Sequence, residues 1–129
     1  MNNTQKLFSL AAEAAKNAYR PYSGFAVGAA IAADDGRFYA GCNVENVSFP
    51  VGTCAEAGAI AAMFAGGGRK IEEILIFADC QKLISPCGAC RQRIAEFAAP
   101  ETLVHLANLS GIQKSYTIAE LLPCSFSEF

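Results

Sequence analysis

The sequence predicts an α/β fold, built as three α/β/α layers around a mixed sheet of about five strands. Three observations predict it: a helical repeat at the start, a hairpin signal at Asp34-Asp35-Gly36, and helix-like and strand-like segments that alternate from there to the end. With 129 residues the chain makes one domain, 1–129, so any chemistry has to sit on a single fold.

In residues 4–19, Leu7, Phe8, Ala11, Ala14, Ala15 and Ala18 recur at helical spacing, with Thr4 as the expected cap and Pro21 as the stop. Residues 25–33 and 37–42 are strand-like runs on either side of the turn, where Gly36 accepts positive φ. Residues 54–65 are alanine-rich, with Ile60, Met63 and Phe64 on one side, and Gly66-Gly67-Gly68 ends that helix. Residues 71–78 hold Ile74-Leu75-Ile76-Phe77, a wholly apolar run that suits a strand buried on both faces. Ser85-Pro86 is expected to open a third helix through Arg91, Ile94 and Phe97, ending before Pro100. Residues 102–107 and 112–117 follow as strands, and 118–122 as a short closing helix.

Composition narrows the function. Hydrophobic residues make up 53% and charged residues 17%, more apolar surface than a small monomer hides, so an oligomer is expected. Ten Lys and Arg against twelve Asp and Glu give a net charge of -2, with no basic run to hold a nucleic-acid backbone. A small neutral substrate fits better. Lys6, Glu13 and Lys16 interrupt the apolar residues of 1–18, so no signal-peptide core is expected there, and no stretch approaches the roughly 18 apolar residues of a membrane span. The expected location is the cytoplasm, where six cysteines point to metal binding or catalysis instead of disulfides.

The cysteine spacing is informative. Cys87 and Cys90, in Pro86-Cys87-Gly88-Ala89-Cys90, lie three apart, so on a first helical turn both sulfurs point the same way and can grip one ion. Cys54 supplies a third thiolate from another helix start, and both helix ends favour thiolate over thiol. Three thiolates suit Zn²⁺ with its fourth position open to water, as in a catalytic site. Glu56, two residues beyond Cys54, can then serve that position as a proton carrier without being a ligand. On their own these residues also fit a non-catalytic zinc module, with Cys42 or Cys80 closing the site and Glu56 a first-turn acid. Cys42, Cys80 and Cys124 have no partner spacing and are expected to be ordinary buried thiols, and His105 a structural side chain. Asn43 and Glu45 alone would read as a strand end and turn.

A ligand, one residue, a glutamate and a later Pro-Cys-x-x-Cys is the signature described for zinc-dependent base deaminases. The chain resembles the short, homotetrameric, three-cysteine cytidine deaminases over almost its whole length. The likeness runs through Arg20-Pro21-Tyr22-Ser23, Phe25-Ala26-Val27-Gly28-Ala29, Asn43-Val44-Glu45-Asn46, Cys54-Ala55-Glu56, Ser85-Pro86-Cys87-Gly88-Ala89-Cys90-Arg91-Gln92 and Leu121-Leu122-Pro123. It implies a cytidine deaminase-like fold and zinc-dependent hydrolysis of cytidine and deoxycytidine to uridine and deoxyuridine, with release of ammonia, in pyrimidine salvage. By the same resemblance Asn43 and Glu45, flanking Val44, hold the ribose hydroxyls; Phe25 packs on the base; and the backbone at Ala55 binds its polar edge. Phe49 and Phe126 match positions that enter a neighbouring subunit's active site. The chain departs at Ala57, where three-cysteine relatives commonly carry arginine; Arg91, next to Cys90, is the cation expected to donate to the ligand sulfurs instead. The rival substrate is the nucleoside antibiotic blasticidin S, against which the Asn43 to Asn46 and Phe25 segments argue.

Overall fold

Small residues let the first helix lie directly on the sheet. In the computed structural model, which describes residues Met1–Phe129, α1 (Asn3–Ala15) buries Leu7, Ala11 and Ala15 against β1 (Val27–Ala33). The approach is so close that a Cβ on Gly28 would stand 1.9 Å from the carbonyl oxygen of Ala11. Only glycine fits there.

β1 turns through Gly36, at φ 80°, into β2 (Phe38–Cys42), and the chain continues through a short 3-10 turn, Phe49–Val51, to α2 (Ala55–Gly66). Gly67, left-handed at φ 102°, ends α2. There follow β3 (Ile71–Ala78), α3 (Gly88–Phe97), β4 (Ala98–Asn108), β5 (Gly111–Thr117) and α4 (Ile118–Leu121). The sheet order is β2-β1-β3-β4-β5, parallel only between β3 and β4, which are joined through α3. It is therefore the mixed five-stranded sheet expected.

Its two faces bury different sets. Paired residues Ile31, Ile74 and Val104 share one face with Ala59, Ile60 and Met63 of α2, Ile94 of α3, and Ile118 and Leu121 of α4. Ala30, Leu75 and Phe77 share the other with Leu7, Ala11 and Ala15 of α1. Three layers result, with the starts of α2 and α3 on the same side.

Several boundaries differ from the sequence expectation. Asn2, not Thr4, caps α1, exchanging bonds with Gln5 in a capping box. That helix ends at Ala15, not 19, because the backbone of Tyr19 bonds to the carbonyl of Asn43 and the amide of Glu45 and so has to leave the helix first. α3 starts at Gly88, with Cys87 as its cap, later than Ser85-Pro86 suggests. β4 begins at Ala98 and contains Pro100, tolerated because the pairing with β3 jumps from Ile71↔Ala98 to Glu73↔Leu103 across it.

Candidate metal centre

Two helices begin with a cysteine in the cap position. Cys54 (φ -78°, ψ 159°) precedes α2 and Cys87 (φ -68°, ψ 169°) precedes α3, which places both sulfurs at helix N-termini. Cys90, on the first turn of α3, is fully buried. The three Sγ atoms lie within 4.8 Å of one another, close enough to gather around one ion with a small inward movement.

The electrostatics fit a cation at that point. Backbone N–H groups of Cys90 and Ala89 hold the Cys87 thiol below its ordinary value, as a helix start should. Burial pushes the Cys54 thiol up, and burial followed by the charges of Glu56 and Cys54 pushes Cys90 up further. Three sulfurs crowded in a half-closed site resist becoming anions together unless a dication sits among them, and the donor set is the soft one zinc takes. Glu56, 4% exposed, completes the cluster; burial raises its carboxyl above the usual carboxylate range.

The cluster forms the floor of a cleft of about 520 Å³. Phe25, Asn43, Val44, Glu45, Phe49, Ala55 and Glu56 all line it with the three cysteines, although they come from four separate stretches of chain. Asn43 is doubly held: its Oδ1 accepts from the Val27 amide at 2.9 Å and its Nδ2 donates to the Phe25 carbonyl at 2.9 Å. Glu45 accepts from the amides of Tyr22 at 3.0 Å and Ser23 at 3.1 Å and from the Ser23 hydroxyl, whose bond keeps this carboxyl below its usual range. Val44 is locked between them by paired backbone bonds with Thr53 at 3.0 and 2.9 Å. Ala55 opens α2, so its N–H has no carbonyl of its own helix to meet.

Other expected residues lie elsewhere. Phe126 is 64% exposed and outside the walls of this chain's cleft; its backbone bonds to the Gln92 side chain, and its ring stacks edge-on to Phe129. Arg91 does not touch the sulfurs: Nε donates to the Pro86 carbonyl at 2.8 Å, Nη1 to the Leu121 carbonyl at 2.9 Å and Nη2 to Ser85 Oγ at 2.6 Å. The guanidinium beside a ligand belongs to Arg93, whose Nη1 donates to Cys90 Sγ at 3.2 Å. Sequence adjacency to Cys90 pointed to Arg91; helical phase points to Arg93, since three residues on lies nearer the same face than one residue on. Ser23 was also missed, and nothing short of the fold marks it.

Of the remaining cysteines, Cys42 and Cys80 are half-buried and Cys124 is exposed, so the buried reading does not hold for them. Cys124 lies in the C-terminal tail beyond α4, which no helix covers. His105 is buried on the sheet between Glu73 and Ser115, bonded to both, as a structural side chain would be.

Comparison with known proteins follows the same lines. The family model described as "Cytidine and deoxycytidylate deaminase zinc-binding region" matches residues 1–106. The chain is 43% identical over 126 residues to a cytidine deaminase of Sporosarcina psychrophila, covering 98% of this chain and 93% of that one. It is 42% identical over 123 residues to a cytidine deaminase of Halalkalibacterium halodurans, covering 95% and 93%. A blasticidin-S deaminase of Bacillus cereus is more distant, 31% identical over 109 residues and covering 78% and 76%. Among solved structures, a cytidine deaminase from Burkholderia pseudomallei superposes with a TM-score of 0.90 at 38% identity, covering 98% of this chain and all of that one. One from Mycobacterium tuberculosis gives 0.85 at 36%, covering 99% and 100%.

Proposed function

The chain belongs to the cytidine deaminase family of zinc-dependent hydrolases, and from that premise we propose that it converts cytidine and deoxycytidine to uridine and deoxyuridine with release of ammonia. One observation supports the assignment of roles above all: three cysteine sulfurs within 4.8 Å of one another share a cleft with a glutamate buried to 4% exposure.

Cys54, Cys87 and Cys90 would hold the zinc. When bound, zinc supplies the Lewis acidity that makes water nucleophilic near neutral pH. Glu56 does the proton work. Its carboxylate takes a proton from the attacking water and gives it to N3 of the base; oxygen bonds to C4, the C4–N bond breaks, and the amine leaves as ammonia after a second proton reaches it through Glu56. Burial raises this carboxyl, which favours its holding the proton between the two transfers.

Substrate binding falls to the cleft walls. Asn43 has one N–H of its amide uncommitted and Glu45 has lone pairs to spare, so the two can take ribose hydroxyls without giving up the bonds that hold them. Phe25 offers a face for the base, and the N–H groups at the start of α2, Ala55 first, meet its polar edge.

The proposal extends to a homotetramer with shared active sites, working in the cytoplasm in pyrimidine salvage. Its support is the cleft wall, where Tyr22, Val44 and Phe49 are exposed, with Val47 and Val51 exposed beside them in sequence, an apolar surface that a second subunit would cover. No helix is long and apolar enough to cross a membrane.

The test is an assay of ammonia release from the zinc-loaded protein with cytidine, deoxycytidine, cytosine, adenosine and blasticidin S. Turnover of the two cytosine nucleosides is expected. Release from blasticidin S alone, or from none of the five, overturns the reading.

A further inference from the structure

Zinc bound by three thiolates carries one net negative charge, and the buried Glu56 adds a second to the same site. Such a site needs a cation nearby, and helix geometry limits where one can stand. Each residue advances about 100° around a helix, so the side chain three residues after a ligand lies only about 60° from it, on the adjoining turn. Position 90, three after Cys87, is itself a ligand, which leaves two positions that meet the condition: 57, three after Cys54 on α2, and 93, three after Cys90 on α3.

Position 57 is alanine and has nothing to donate. Position 93 is arginine, and its Nη1 reaches Cys90 Sγ at 3.2 Å. Arg91 lies about 100° around α3 from Cys90 and spends its guanidinium on Pro86, Ser85 and Leu121. Lys82 and the other cations make no bond to a ligand sulfur.

We propose that Arg93 is the positioning residue that offsets the thiolate charge of the metal centre, acting on the metal through Cys90 and filling from α3 the place that an arginine at position 57 would fill from α2. The inference rests on Cys54, Cys87 and Cys90 being the zinc ligands. Arg93 touches neither substrate nor reacting atoms. Its hydrogen bond withdraws electron density from one thiolate, which stabilises the ligand as an anion and leaves the metal a stronger Lewis acid.

The experiment compares the wild-type chain with Arg93→Ala, Arg93→Lys and the double variant Arg93→Ala/Ala57→Arg. Zinc affinity is read by competition with a chromophoric chelator, and the ligand environment by the sulfur-to-metal charge-transfer band of the Co²⁺-substituted protein. Arg93 is exposed at the surface of α3, so its loss leaves the core intact, and unfolding curves check this. Arg93→Ala is expected to weaken zinc by about tenfold or more and to move the cobalt band to lower energy, because an unbonded thiolate gives up an electron more readily. Arg93→Lys is expected to recover part of both, having the charge without the planar fork, and the double variant to recover most of both. Unchanged affinity and an unmoved band in Arg93→Ala overturn the proposal. So does a loss that neither rescue reverses, which would make Arg93 a packing residue. The outcomes separate from those of the functional reading: a wild-type chain that binds zinc but releases no ammonia overturns only the function, while one that binds no zinc overturns both.

Discussion

Gly41 and Ala59 are in backbone contact: a Cβ on Gly41 would stand 2.3 Å from the Ala59 nitrogen, with Gly58 C at 2.6 Å and the Ala55 carbonyl oxygen at 2.8 Å. β2 is thereby pressed against α2 with no side chain between them, and the helix so held is the one that begins with Cys54 and Glu56. A packing detail in the sheet thus fixes where one proposed metal ligand and the proposed proton carrier stand.

Gly41→Ala is expected to push α2 off the sheet, because every atom in the way is backbone. A destabilisation of about 1–3 kcal/mol is expected from such overpacking, together with weaker zinc binding. Gly28→Ala makes the comparison, since its Cβ would meet the backbone of α1 on the opposite face. It should destabilise as much and spare the metal. Denaturant unfolding and zinc competition on both variants check this, and equal zinc loss in the two would contradict it.

The site was legible where chemistry forces local spacing. Cys87 and Cys90 have to be three apart to share an ion on one helical turn, and Glu56 has to follow Cys54 closely to serve the same point, so short motifs carry both. The turns were legible for a similar reason, as Gly36 and Gly67 take backbone angles that other residues avoid. What depended on distant partners was not. α1 stops at Ala15 because Tyr19 pairs with the segment around Val44, and no pattern within residues 4–19 records that pairing. The same holds for Arg91, drawn away from Cys90 by the Leu121 carbonyl at the end of α4.

Asn43 joins the mouth of the cleft to the start of β1. Asn43→Ala leaves the Val27 amide and the Phe25 carbonyl without partners in a half-buried place, at a cost of about 1–3 kcal/mol. It also frees Phe25 to move. KM for cytidine is expected to rise by about tenfold, the worth of one hydrogen bond to the sugar, with zinc content unchanged. Steady-state kinetics and metal analysis decide it; an unaltered KM would remove Asn43 from the binding role.

Arg91 holds a corner of the fold, tying the loop that carries Cys87 to the end of α4. Arg91→Ala is therefore expected to lower stability by on the order of 3 kcal/mol through three lost charge-assisted bonds. Lysine cannot replace three divergent donors at once, so Arg91→Lys should recover little, in contrast with the partial rescue expected at Arg93. Thermal unfolding of Arg91→Ala and Arg91→Lys beside the wild-type chain decides it, and full recovery in Arg91→Lys would show that charge alone matters there.

Glu56→Gln removes the proposed proton carrier and keeps the shape. Zinc content should stay at about one per chain, since the three sulfurs are untouched, while turnover falls by roughly 10²–10⁴-fold, the usual contribution of a positioned acid–base group. Metal analysis with a rate measurement tests both halves. Near-normal turnover, or loss of the metal, is incompatible with the role assigned.

Phe126 gives the last prediction. It stands outside the cleft of its own chain, exposed, on a tail whose backbone is fixed to Gln92 of α3, two residues beyond Cys90. A large apolar ring held firmly in water is costly to leave there, and a neighbouring subunit's apolar cleft rim is the kind of surface it would fill. On that reading each active site takes Glu56 from one chain and Phe126 from another, so the two can be damaged separately. Phe126→Ala alone should lower activity while keeping zinc, and Glu56→Gln alone should lower turnover by the roughly 10²–10⁴-fold expected for loss of an acid–base group. Co-expressed with different affinity tags and purified through both, the two impaired chains form oligomers in which some sites draw an intact Glu56 and an intact Phe126 from different subunits. Activity should then reappear, at a fraction of the wild-type rate set by how the chains mix. Doubly tagged oligomers with no more activity than the parent variants would mean that Phe126 serves its own chain or none.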